Sequence, residues 1–221
     1  IKAIKVGGST MAGVVRRIAA KFGMSGVQAK GQWIDSEPGV WANHGQYAKF
    51  PERLGELSGP KFVLAMMRNP LDRCLSAYYH LKSRGNPNDD KLIKHLKSCT
   101  NFGIKYLGLP GDTSVEQIMD RYDFIGTTER YAESVVLLRH ALPMEVTLGD
   151  VLYLKAKDSS KTGMRDGKGR KITSNVPYSK QSQRVRDAVD KEFKSNNERD
   201  YALWNAINAR LDRLGEKVGK G

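Results

Sequence analysis

The sequence predicts a single α/β domain in which a central parallel β-sheet is flanked by helices. Three observations carry that expectation. Apolar, β-rich runs alternate along the chain with stretches of helical spacing. A glycine turn joins the first such run to the first helix. A continuous apolar run over residues 61–67 reads as a strand buried on both faces, as parallel strands are. The chain has 221 residues, 39% of them hydrophobic, enough for one substantial core.

Each element follows from local signals. Residues 1–6 are apolar and β-rich, Gly7-Gly8-Ser9-Thr10 breaks the pattern, and 11–22 run at helical spacing to a stop at Gly23. Short strands are expected at 33–34 and 40–50, around the Glu37-Pro38-Gly39 turn, and the buried strand at 61–67 follows. Pro70 suits the first position of a helix over 70–83, since no backbone donor is needed there. A polar loop over 84–90 leads to a short basic helix, 91–98. Thr113-Ser114-Val115-Glu116 predicts a capping box opening a helix over 115–122. A strand at 123–126, a helix over 129–142 ended by Pro143 and a last strand at 151–155 complete the alternation. Residues 156–178 are rich in Gly, Lys and Ser and read as a mobile basic loop; 179–215 hold two closing helices, 180–194 and 198–214. There is no internal repeat, and the whole of 1–221 reads as one domain.

Lysine and arginine number 37 against 24 acidic residues, a formal charge of +13. Such a surface favours polyanionic partners, whether nucleic acid, acidic glycan or a phosphorylated nucleotide, and charge alone does not choose among them. Cys74 and Cys99 lack metal-ligand spacing and are too few for a disulfide framework, so both are expected as free thiols. No stretch reaches the roughly 20 uninterrupted apolar residues of a membrane span, and no basic-then-apolar leader opens the sequence. The chain opens on Ile1 in what already reads as a strand, which leaves room for an anchor or leader upstream.

A glycine turn between a buried strand and a helix presents backbone N–H groups at the positive helix end, where a phosphate binds well. Gly7 and Gly8 let the backbone approach, Ser9 and Thr10 add hydroxyl donors, Met11 closes the turn, and Lys5 brings a cation to the same place. The loop is P-loop-like but differs from the nucleoside triphosphatase loop: its lysine precedes the glycines and it is shorter. A second candidate segment begins at Arg68, at the mouth of the central strand. Ser76 lies two turns into the following helix, with Arg73 one turn before it. A strand-end guanidinium and a helical hydroxyl facing one crevice can hold a second phosphate.

Taken together, Lys5-Val6-Gly7-Gly8-Ser9-Thr10 and Arg68-Asn69-Pro70…Arg73…Ser76-Ala77-Tyr78-Tyr79 resemble the sulfotransferase superfamily, most of all its Golgi carbohydrate sulfotransferases acting on uronic acid or galactose. Phe124-Ile125-Gly126-Thr127-Thr128-Glu129-Arg130 resembles a strand-to-helix segment of that group, and Gly169-Arg170-Lys171-Ile172-Thr173 a basic loop that closes over the donor. The resemblance covers roughly residues 1–142. It implies a nucleotide-binding transferase that uses 3′-phosphoadenosine 5′-phosphosulfate as co-substrate and no metal. Lys5 and the Gly7–Met11 turn would hold the 5′-phosphosulfate, Arg68 and Ser76 the 3′-phosphate. Lys171 and Thr173 would be further donor contacts, with Arg170 serving donor or acceptor. The acceptor implied is a hydroxylated glycan rather than nucleic acid, the compartment a Golgi lumen in a eukaryote, with a membrane involved only through an upstream anchor. Val6 departs from the threonine or serine that often follows the lysine, and the chain is shorter than most animal members.

A base is also needed. His80, His95 and His140 fall on predicted helices and read as structural. His44, in Ala42-Asn43-His44-Gly45-Gln46-Tyr47, lies between the two phosphate segments beside a glycine expected to keep its surroundings open. In the resembling enzymes a histidine in a similar context is the base, and an imidazole titrating near neutrality suits removal of a hydroxyl proton. Two other readings remain: a P-loop phosphotransferase or kinase, and a non-catalytic module binding polyanions. Lys82, Arg84, Lys91, Lys94 and Lys97 would draw an acidic polysaccharide or form a solvated face.

Overall fold

The computed structural model describes residues 3, 5–25, 39–42, 44–56, 59–83, 86–112, 114–153 and 174–219. Over these residues the protein is mixed α/β and mostly helical, with a small parallel sheet of two strands. Strand β1 (Leu64–Met67) pairs with β2 (Phe124–Thr127) in the register Leu64 to Phe124 through Met67 to Thr127. The helices in chain order are α1 (Gly8–Lys21), α2 (Pro51–Glu56), α3 (Pro70–Ala77), α4 (Asp89–Ser98), α5 (Phe102–Leu107), α6 (Val115–Met119), α7 (Tyr131–Ala141), α8 (Leu148–Val151), α9 (Gln183–Ala188), α10 (Lys194–Asn196) and α11 (Glu198–Gly219).

Local chemistry explains the boundaries. The Asn69 side chain caps α3 by accepting from the Leu71 and Asp72 amides, and Pro70 occupies the first turn. The capping box of α6 falls on Ser114 and Gln117, one residue later than predicted. A second box, Thr147 with Asp150, turns 148–151 into a helix, so the strand expected at 151–155 does not begin at Val151; residues 154 and 155 lie outside the described residues. The strand expected at 1–6 also fails where it is described. Lys5 has φ 67°, a left-handed turn that a strand cannot contain, and Val6 lies in a bend. In 40–50 a 3₁₀ turn at Tyr47–Lys49 and a bridge at His44 stand in place of a continuous strand. Residues 33–34 and most of the 156–178 segment lie outside the described residues. The helix expected over 70–83 ends at Ala77 and passes into a π-turn, Tyr78–Lys82. Another π-turn, Val189–Phe193, interrupts the first closing helix.

Two apolar clusters result. The larger surrounds the sheet and takes residues from α1, α5, α6, α7 and one face of α11, where Leu203, Ile207 and Leu211 are fully buried at four-residue intervals. Each such side chain contributes about 1.5–3 kcal/mol by leaving water. The smaller gathers α3, α4 and α9 around Leu75, Tyr78, Leu92, Val185 and Phe193. Within it Cys74 and Cys99 are joined, S–S 2.03 Å, which corrects the expectation of two free thiols. The sequence could not show the pairing, because only the packing of α4 on α3 brings positions 25 residues apart together. No described helix is long and apolar enough to cross a membrane.

Candidate functional site

The chain leaving β1 and the chain leaving β2 are tied together. The Thr128 amide and hydroxyl both donate to the Met67 carbonyl, at 2.9 and 3.1 Å. The Asn69 amide donates to a Glu129 carboxylate oxygen at 3.0 Å, while the other accepts from the Trp204 indole of α11 at 3.4 Å. The glycine turn arrives at the same edge. Gly7 has φ 71°, and a Cβ there would lie 3.2 Å from the Tyr131 ring and 3.7 Å from Thr128 Oγ1. Glycine is thus required both by the left-handed backbone and by the ring behind it. Ligands of open parallel sheets gather at this carboxyl edge.

The first turn of α1 narrows the predicted cradle. The Thr10 and Met11 amides donate to the Gly7 carbonyl at 3.1 and 3.3 Å, so they are committed to the helix. Those of Gly8 and Ser9 have no backbone acceptor among the described residues and form the positive end of the helix. Ser9 is exposed, Thr10 half-buried and Met11 a core side chain, 2% exposed, rather than a lining residue. Tyr131 places a buried hydroxyl beside Thr10.

Next to the turn, Val6 shares a narrow recess with Arg68, Arg73, Phe102 and Asp200. Arg73 is 6% exposed, with its guanidinium 3.9 Å from the Phe102 ring centroid. Burial is the main cause that lowers its pKa to about 10; Asp200 pulls the other way and Arg68 adds to the lowering. The buried Asp200 carboxylate accepts from the Gly103 and Ile104 amides at 2.8 and 2.9 Å, capping α5. Burial raises its pKa against those bonds and against Arg73. Arg68 and Arg73 line the recess with Asp200 as the one carboxylate among its lining residues, an arrangement that favours an anion at its mouth.

The structure therefore brings the glycine turn and Arg68 to one edge, with Arg73 beside them. Ser76 is buried on α3 and is not among the residues lining the recess. His44 is exposed, on a segment anchored to α1 by the Arg16 guanidinium donating to the Ala42 carbonyl at 3.0 Å. Gly45 does not keep that segment open: a Cβ would meet Phe50 at 2.5 Å and Trp41 at 2.8 Å, two rings 4.6 Å apart that close over it. Lys171, Thr173, Arg170 and Arg84 lie outside the described residues. Of the basic residues on or near α4, Lys97 is paired with Glu192 at 3.0 Å, while Lys82, Lys91 and Lys94 are exposed. Phe102, Asp200, Glu129 and Tyr131 were not predicted as neighbours of the site. No spacing joins them to it, and only the packing of α5, α7 and α11 does. Comparison with protein-family models, with curated proteins and with solved structures finds no match.

Proposed function

We propose that the chain is a sulfotransferase of P-loop-like architecture that moves a sulfuryl group from 3′-phosphoadenosine 5′-phosphosulfate to a carbohydrate hydroxyl. The observation that carries the reading is the meeting of the glycine turn with Arg68 at the carboxyl edge of β1 and β2. In this reading the Gly8 and Ser9 amides, the Ser9 and Thr10 hydroxyls and Lys5 hold the 5′-phosphosulfate, and Arg68 holds the 3′-phosphate, with Ser76, buried on α3 and off the recess, taking no part. The acceptor oxygen attacks sulfur in line as the bond from sulfur to the phosphate oxygen breaks. His44 takes the acceptor proton, Lys5 steadies the charge growing on the departing phosphate, and 3′-phosphoadenosine 5′-phosphate leaves. Positioning and fixed charge do most of this work, and no metal enters.

Calorimetry with 3′-phosphoadenosine 5′-phosphate against AMP and ATP, without metal, tests the donor site directly. The expected result is a preference for the 3′-phosphate that Arg68→Ala weakens at least about tenfold, the loss of a charge-assisted contact. His44→Ala should leave that binding intact and lower turnover by about 10²–10⁴. Equal binding of AMP would overturn the donor assignment and favour a polyanion-binding module, whose affinity would fall steeply with salt. A His44→Ala enzyme with full turnover would remove the base.

A further inference from the structure

The helical layer brings sulfur and imidazole together away from the glycine turn. His95 and Cys99 are four residues apart at the end of α4 and so share one face, onto which α3 packs Cys74. One ligand atom from each of the three lies within 4.8 Å of the other two. His95 Nε2 is 3.5 Å from Cys99 Sγ, so the imidazole already faces the sulfur pair. The sulfurs are buried, Cys74 at 0% and Cys99 at 4% exposure, while His95 is only half-buried and gives the side of entry. Two thiolates and one imidazole form a donor set suited to thiophilic d¹⁰ cations, and with a divalent ion the centre is neutral.

We propose that, once an external dithiol has reduced the Cys74–Cys99 disulfide, the chain binds one cation of the Zn²⁺ class through both thiolates and the His95 imidazole, with a fourth position open to water. The reduction gives the protein two electrons and two protons and turns the dithiol into its own disulfide; the metal then displaces the two thiol protons to solvent. Disulfide and metal-bound states exclude one another, because both use the same two sulfurs. The site does not depend on the sulfotransferase reading.

The test uses the whole chain, reduced with a dithiol, freed of it anaerobically and titrated with Cd²⁺ while the ultraviolet thiolate-to-cadmium band is followed. One equivalent should bind. The oxidised chain should show no band, and Cys74→Ser or Cys99→Ser should abolish stoichiometric uptake. His95→Ala should weaken binding by about tenfold or more. A parallel titration in urea, with folding followed by far-ultraviolet circular dichroism, separates a folded site from loose thiols: the folded chain should bind at least tenfold tighter. Equal affinity in urea, an unchanged His95→Ala titration or a band from the oxidised chain would each overturn the proposal.

Discussion

The core around β1 and β2 gathers the larger set of buried apolar side chains, from Ala3 to Leu211, and is crossed by non-covalent polar ties such as Thr128 to Met67, Asn69 to Glu129 and the Tyr122 hydroxyl to the Leu107 carbonyl. The layer of α3, α4 and α9 gathers fewer buried apolar side chains and adds specific ties. These are the Cys74–Cys99 disulfide, the Tyr79 hydroxyl donating to Gln181 at 3.1 Å, and the Ser182 hydroxyl donating to Asp89 at 2.6 Å. The contrast teaches how one chain stabilises two cores of unequal size. Both carry polar ties; the larger core adds buried area, and the smaller layer adds a covalent bond. Helix α11 joins the two, with Leu203, Ile207 and Leu211 in the large cluster and Tyr201 against the small one.

The largest effect should come from the larger core. Leu203→Ala removes a fully buried side chain of α11 and should cost about 4 kcal/mol. Denaturant melts should show both layers lost in one transition; a transition confined to the sheet layer would mean that the layers are separate folding units. Next comes the disulfide-bonded layer. Replacing both cysteines by serine opens a loop with a sequence separation of 25 and should cost about 3.5 kcal/mol in the chain-entropy account. Amide hydrogen exchange sharpens the comparison: protection should fall most in α4 and α9, and a uniform fall would show that the disulfide serves the whole molecule. The smallest effect belongs to the edge of the sheet. Gly7→Ala forces a side chain into a left-handed turn 3.2 Å from the Tyr131 ring and should cost about 1–2 kcal/mol, read as a shift in the midpoint of thermal unfolding.

The legible parts of this fold are those whose signals are local. Pro70 marks the start of α3, apolar spacing marks α7, and the unbroken apolar run marks β1. Residues 1–6 misled because composition speaks for a strand while Lys5 and Gly7 both turn left-handed there. The disulfide and the Arg73, Phe102 and Asp200 cluster were illegible for a different reason: each joins residues far apart in the chain, and no periodicity within a segment records what another segment will bring. His44 and Gly45 show both at once. The glycine was visible, but its role under Trp41 and Phe50 depends on a ring contact that spacing does not encode.

The parallel pairing of β1 with β2 also bears on how fast the molecule forms. Leu64 and Phe124, like Val63 and Asp123 at a separation of 60, cannot meet until the chain between them has looped back, so the sheet is a high-contact-order pairing. The Cys74–Cys99 bond lies inside that loop and short-circuits 25 of its positions. In an oxidised chain the remaining search is shorter, an entropic saving of about 0.5 kcal/mol. A bond within the smaller layer thus shortens the search that assembles the larger one.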